Sequence, residues 1–161
     1  MKIKLREGKA LGFERPLTGF IFKHPNFPML MDKAIIDTGC PFIVIPEDTI
    51  KLRRIPYMRY PKYEKSVNIG GIILELRDMG ECIIKLIDVD DKTHEFKHKV
   101  FVGIPQSPIV QKLPSFIGLD FLKAHKLSIS PEEDGIYLSG KSPQELVKEQ
   151  ETCPSHAPSG E

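Results

Sequence analysis

The run Ala34-Ile35-Ile36-Asp37-Thr38-Gly39-Cys40 constrains this chain more tightly than any other stretch. Three apolar residues lead directly into a carboxylate, and a Thr-Gly pair turns the chain straight after it. Burying an unpaired carboxylate is costly. A fold that carries Asp37 at the end of an apolar strand must therefore give it partners or a task. The chain then re-enters the interior as Phe42-Ile43-Val44-Ile45, stopped by Pro46. Asp-Thr-Gly also occurs in ordinary turns, so the elements around it decide what it means.

Those elements are strands. Fourteen Pro, 12 Gly and many short Ile/Val/Leu runs describe strands and turns, not a helical bundle. A length of 161 residues suits one domain with a real core. Residues 16–22 and 29–36 read as two strands joined by the turn His24-Pro25-Asn26-Phe27-Pro28, and 48–52 as a brief helical turn. Residues 66–77 predict a hairpin with Ile69-Gly70-Gly71-Ile72 at its tip, where adjacent glycines permit the positive φ of a type I′ turn. Residues 82–89 and 95–102 form another strand pair around Asp90-Asp91-Lys92. Residues 116–125 read as a strand running into a helix, with Asp120 in its first turn and His125 near its last, as the helix dipole favours. Residues 127–130 and 135–138 make a closing hairpin. The domain is expected to cover residues 1–140. Residues 141–161 are polar and rich in Pro, Ser and Glu, and are expected to be a disordered tail.

Charge excludes some classes of partner. Lys and Arg number 23 against 22 Asp and Glu, so no global field draws the chain to nucleic acid or to an anionic membrane. Residues 51–65 are locally basic and carry Tyr57, Tyr60 and Tyr63, an interleaving that suits single-stranded nucleic acid. Pro56 and Pro61 break any helix that would align those rings. A solvated excursion touching substrate is the preferred reading, and no nucleic-acid partner is expected. No apolar run approaches the roughly 20 residues that span a bilayer, so no membrane partner is expected. Met1-Lys2-Ile3-Lys4-Leu5-Arg6 lacks the apolar core of a signal peptide, and the expected location is cytoplasmic. Cys40, Cys82 and Cys153 cannot all pair within one chain and are expected to be reduced. His94 and His98 lie in a polar, turn-like stretch that reads as a charged hairpin, and Cys153-Pro154-Ser155-His156 is a weaker signal still. Neither a metal nor a cofactor is expected.

The order of elements resembles the retropepsins, the single-domain aspartic proteases of retroviruses and their cellular relatives. Four stretches carry the resemblance: Arg15-Pro16-Leu17, Ile35-Ile36-Asp37-Thr38-Gly39, Ile69-Gly70-Gly71-Ile72, and Phe116-Ile117-Gly118-Leu119-Asp120-Phe121-Leu122. It implies an all-β, partly closed barrel with one short C-terminal helix. It also implies that Asp37 is catalytic and that Thr38, Gly39 and Gly118 support it. In that family the strand carrying the Gly118 equivalent crosses beneath the active-site turn, and the Thr38 equivalent bonds across to the partner subunit's backbone. Ile69, Gly70, Gly71 and Ile72 match the mobile flap that closes over an extended peptide.

Peptide hydrolysis by this route needs two carboxylates sharing one proton, one acting as base and the other as acid. Two carboxyls about 3 Å apart cannot both ionise, so their pKa values split, and the aspartic protease dyad is the standard example. The sequence has one Asp-Thr-Gly and no Asp-Ser-Gly, and Asp134-Gly135 lacks the hydroxyl residue. A working dyad therefore requires a second copy of Asp37, in a homodimer with the site on its two-fold axis. A polypeptide substrate would pair as an added strand with backbone beside Gly39 and in the flap. Ile43, Ile69, Ile72 and Leu113 read equally as pocket lining or as core. Cys40 reads as packing, with redox control as a minor alternative. Pro41-Phe42 and Leu119 depart from the viral pattern, which often has acidic residues and Arg there. Residues 135–138 are candidates to complete a dimer sheet. The main alternative to a protease is a catalytically idle dimerisation or peptide-binding module of the same fold. An idle domain has no need of a costly carboxylate pair, which favours the enzyme.

Overall fold

The computed structural model describes residues 1–108 and 112–152. Ten strands form one sheet: β1 (Lys2–Ala10), β2 (Phe13–Lys23), β3 (Leu30–Ile36), β4 (Ile43–Pro46), β5 (Val67–Ile69), β6 (Ile72–Ile87), β7 (Thr93–Pro105), β8 (Ser115–Ile117), β9 (Ser128–Glu132) and β10 (Gly135–Ser139). The described residues also form three short helices, α1 (Glu47–Leu52), α2 (Leu119–Ala124) and α3 (Pro143–Thr152), and a 3-10 turn at Tyr57–Arg59. The sequence foresaw α1 as a brief turn and α2 as the one helix.

The strand order is β5-β6-β7-β4-β8-β3-β2-β1-β10-β9. A second pairing, of β2 with β6 from Ile21↔Lys85 to Lys23↔Ile83, folds the sheet over on itself. It is nevertheless not a closed barrel, because β5 and β9 each have a single neighbour and remain edges. The centre is β8, which runs parallel to β3 (Ala34↔Ser115, Ile35↔Phe116, Ile36↔Ile117) and meets β4 at Val44↔Phe116. Residues covered on both faces of a sheet read as continuous apolar runs, which is why Ala34-Ile35-Ile36 and Ile43-Val44-Ile45 show no alternation. All six are buried.

One feature in the middle of the chain and one at the last strand differ from the sequence reading. The outgoing arm of the Gly70-Gly71 hairpin and the strand expected at 82–89 are one element, the 16-residue β6. A register shift between Asp78 and Glu81, with Gly80 at φ 75°, bends it without ending it. Residues 135–138 do not offer an edge to a second copy. β10 pairs with β1 on one side and β9 on the other, so both its edges are used within the chain.

The tail expected to be disordered contains α3. Ser142-Pro143-Gln144-Glu145 is a capping box: the Glu145 N–H donates to Ser142 Oγ (3.3 Å), and the Ser142 N–H donates to Glu145 Oε2 (2.5 Å). Pro143 stands at the first helical position, where its missing N–H costs nothing. Cys153-Pro154-Ser155-His156 and the rest of the tail lie outside the described residues.

Replacing Ser142 with Ala is expected to weaken α3 by about 1 kcal/mol, the usual cost of losing such a cap. Amide exchange over residues 144–146 should quicken while that of β6 and β7 stays unchanged. Unaltered exchange in α3 would contradict this assignment.

Candidate active site

β3 delivers its chain from full burial at Ile36 to a half-buried Asp37, then to exposed Thr38 and Gly39, before Cys40 returns to the interior. The Asp37 N–H donates to Ile117 O (3.1 Å), which carries the β3–β8 ladder one residue past its last pair. The Cys40 N–H donates to Asp37 O (3.1 Å) and closes the turn. The Gly39 N–H donates to Asp37 Oδ1 (2.9 Å), so the turn's own backbone orients the carboxylate.

The path from β8 into α2 holds this turn from below. The Leu119 N–H donates to Cys40 O (2.8 Å) and the Asp120 N–H to Pro41 O (3.0 Å). A Cβ on Gly118 would lie 2.4 Å from Phe42 O, 2.5 Å from Cys40 O and 2.6 Å from Phe42 N. The backbone of Gly118 is ordinary (φ −93°), so space alone demands glycine there. Cys40 fills the hollow under the turn, its Sγ–H donating to Phe42 O (3.3 Å). Burial pushes the thiol up to about 11, with the Phe42 carbonyl opposing and the Asp37 and Asp120 carboxylates adding to the rise. A thiol held protonated is a packing group, not a redox sensor.

Behind α2 lies a polar cluster that the sequence did not reveal. His98 Nε2 meets Asp120 Oδ2 at 3.1 Å, and Asp120 Oδ1 accepts the Phe121 N–H (2.7 Å). The His125 ring packs on Phe121 (4.7 Å), Phe96 (4.9 Å) and His98 (5.3 Å). Burial holds His125 below the usual histidine range, and the His98 ring adds to this against the opposing pull of Asp120. The signal was the alternation His94, Phe96, His98, Val100, which places both histidines on one face of β7. They then part, since His94 Nε2 turns to Asp88 Oδ2 (2.7 Å).

The Gly70-Gly71 hairpin forms as its glycines require. Gly70 (φ 58°) and Gly71 (φ 87°) link the Ile69↔Ile72 pair in a type I′ turn, and the Gly71 N–H donates to Asn68 Oδ1 (3.0 Å). Ile69 is buried in the apolar cluster that also holds Ile35, Cys40, Val44, Leu113 and Phe116, with Ile72 and Phe42 packed against it. The hairpin therefore rests on the same core as the Asp37 turn. Ile43 belongs to the larger cluster around Phe22, Ile45 and Phe121 and is core. Of the four residues read as pocket or core, only Ile72 reaches the surface.

No protein-family model and no curated protein matches this sequence. Solved structures do match it. A retropepsin-like aspartic protease from Rickettsia conorii superposes with a TM-score of 0.51 at 12% identity, over 86% of this chain and 89% of that one. The chain has the retropepsin-like fold. The retroviral protease-like domain of Ddi1 from Leishmania major aligns over 78% of this chain and 90% of its own, at 17% identity and a TM-score of 0.43. EIAV protease, solved with the inhibitor HBY-793, aligns over 73% of this chain and 93% of its own, at 16% identity and a TM-score of 0.40. Within this retropepsin-like fold, Asp37, Gly39 and Gly118 meet at the turn, Ile69 and Ile72 cap the adjoining core, and Thr38 faces outward.

Two measurements follow from this geometry. Gly118→Ala forces a side chain into backbone atoms and is expected to destabilise the chain by about 1–3 kcal/mol in urea denaturation, the usual range for overpacking. Wild-type stability would mean that the turn is not seated on β8 as described. The second concerns pH. His125 resists protonation in the folded chain, so its contribution is intact above about 6.5 and is lost as pH falls through its depressed folded value. His125→Gln should reduce the slope of stability just below about pH 6.5, leaving there the part due to His24, also held low by burial, and the part due to the paired carboxylates at lower pH. An unchanged slope would contradict the burial of His125.

Proposed function

We propose that this chain is an aspartic-type endopeptidase that acts on extended polypeptide segments as a homodimer, with residues 1–140 as the catalytic domain. The observation that carries the reading is the setting of Asp37. Its carboxylate is half exposed at the end of a buried strand, oriented by the Gly39 amide, on a loop pinned from below by residues 117–120. A fold that builds a rigid seat for a single carboxylate at its surface is prepared for a second one to face it.

In the dimer, Asp37 from each subunit forms the dyad, sharing one proton. The ionised carboxylate takes a proton from a bound water as the water oxygen bonds to the scissile carbonyl carbon. The protonated carboxylate gives its proton to the carbonyl oxygen, and the carbonyl π bond opens to a tetrahedral diol. As the C–N bond breaks, the carboxyl that took the water's proton gives it to the leaving nitrogen. The other carboxylate takes a proton from a diol hydroxyl, which becomes the carbonyl of the product acid and returns the dyad to one shared proton. In this reading Thr38, which is exposed on the turn, bonds across the two-fold axis, and Gly39 supplies backbone to the substrate. Ile69, Gly70, Gly71 and Ile72 close over the peptide. The chemistry uses no cofactor or metal. The reading includes a cytoplasmic setting, supported by Cys40 and Cys82 as buried free thiols. No helix among the described residues is long and apolar enough to cross a membrane.

Cleavage of a diverse peptide mixture should be lost with Asp37→Asn at every pH from about 3 to 8. The expected fall is at least about 10²-fold, the lower end for removing a general acid–base group. Absence of cleavage by both folded proteins would favour the idle peptide-binding module. Equal cleavage by both would remove Asp37 from the mechanism.

A further inference from the structure

The chain is nearly neutral overall, yet residues 51–65 hold six basic residues against one acid, Glu64. Lys51 is paired with Glu47 (2.8 Å) and Lys62 with Glu75 (2.6 Å). Arg53, Arg54, Arg59 and Lys65 are exposed and form no ion pair among the described residues. Leu52 and Met58 stand among them, 74% and 58% exposed. Arg54 has φ 55°, a left-handed conformation that glycine or asparagine takes more readily than arginine.

The segment is held firmly. Ile50 and Ile55 are buried beneath it. Arg77 Nη1 donates to Tyr60 O (3.2 Å), the Tyr63 N–H to Leu76 O (2.9 Å), and the Asp78 N–H to Pro61 O (3.0 Å). The surface is thus fastened along β6, the strand that leaves the tip of the flap.

The tyrosines decide what such a surface suits. Tyr57 Oη donates to Glu47 Oε2 (2.7 Å). The Tyr60 ring packs on His24 (5.5 Å) and Phe27 (6.3 Å), and that of Tyr63 on Phe101 (4.9 Å) and Phe42 (5.6 Å). All three rings are partly buried and packed on the core, which leaves them poorly presented for stacking on bases. What faces solvent on this anchored backbone is a set of unpaired guanidinium groups, with two exposed apolar side chains among them in sequence. We propose that residues 51–65 form a docking surface for an acidic polypeptide segment whose carboxylates alternate with apolar side chains. Arginine pairs carboxylates in bidentate fashion, and Met58 offers an adaptable apolar contact. Repulsion between like patches disfavours a symmetric contact of this surface with the same surface of a second copy. Resting in addition on the proposed activity, the surface selects substrates that carry an acidic stretch beside the segment cleaved under the flap.

The test uses the full chain carrying Asp37→Asn, so that binding is read without cleavage. Fluorescence anisotropy is measured with a labelled Glu/Asp-rich peptide containing leucines, a sequence-matched Lys-rich peptide, and a single-stranded oligothymidylate. The acidic peptide should bind more tightly than the Lys-rich one and weaken as salt rises from about 50 to 300 mM, where screening shortens. Combined Arg53→Glu, Arg54→Glu and Arg59→Glu should weaken it at least about tenfold, as loss of complementary charges does. Lys92→Glu, on the far β6–β7 turn, should not. The triple Arg→Gln variant is the companion should charge reversal impair folding. Binding that ignores the arginine substitutions would overturn the proposal, as would tighter capture of the oligonucleotide. In the wild-type chain, appending the acidic stretch to a cleaved peptide should lower KM and leave kcat unchanged. If the acidic peptide binds as described but wild type cuts nothing, the docking surface stands and the endopeptidase reading falls.

Discussion

The whole site depends on how closely the backbone at Gly118 approaches the turn that carries Asp37. Nothing larger than hydrogen fits between Gly118 and the backbone of Cys40 and Phe42. At that separation three backbone bonds form, from Asp37 to Ile117, from Leu119 to Cys40 and from Asp120 to Pro41. Each contributes about 1 kcal/mol net, and leaving a group of the buried Ile117 or Cys40 unpaired would cost about 1–3 kcal/mol. The apposition also lets β8 sit between β3 and β4 with all three residues buried. The turn is thus tied to β8, and it presents the half-exposed Asp37 carboxylate to solvent.

That rigidity explains what a single chain can and cannot do. One carboxylate oriented by one amide can accept a proton, but it cannot at the same time give one to the carbonyl oxygen. On the proposed reading, the second function comes from a second copy of Asp37 across a two-fold axis. The chain closes off one route to such an assembly. β10 is saturated on both edges, and the exposed edge strand β9 contains Pro131, which has no N–H to offer. The outward face of the turn, with Thr38 and Gly39, remains available. The basic surface at 51–65 lies along β6, and repulsion between like charges keeps it off a two-fold axis.

Much of this was legible in the sequence because the signals were local. Gly70-Gly71 between apolar runs specified its hairpin, and Ala34-Ile35-Ile36 before Asp-Thr-Gly specified a buried strand ending in a turn. Gly118 was singled out through its motif, although only the coordinates show that the reason is space. What escaped was either non-local or masked by composition. The pairing of β1 with β10 joins the two ends of the domain, and no window of residues announces it. The His98–Asp120 contact spans 22 positions and rests on a face of β7 that looked merely charged. The capping box at Ser142 was readable, but the polarity of the tail outweighed four residues of helix-start chemistry. Gly80, which reads as a break between strands, is a bulge inside one.

The central claim is that two copies of Asp37 work together, and subunit mixing tests it most directly. Wild-type chain is held at fixed concentration while Asp37→Asn chain is added in increasing excess, with exchange allowed before peptide cleavage is measured. A shared dyad predicts that activity falls steadily towards zero, because mixed dimers carry one carboxylate and each wild-type chain is drawn into them. Activity that stays constant across the titration would show that each chain cleaves alone, and would contradict the account.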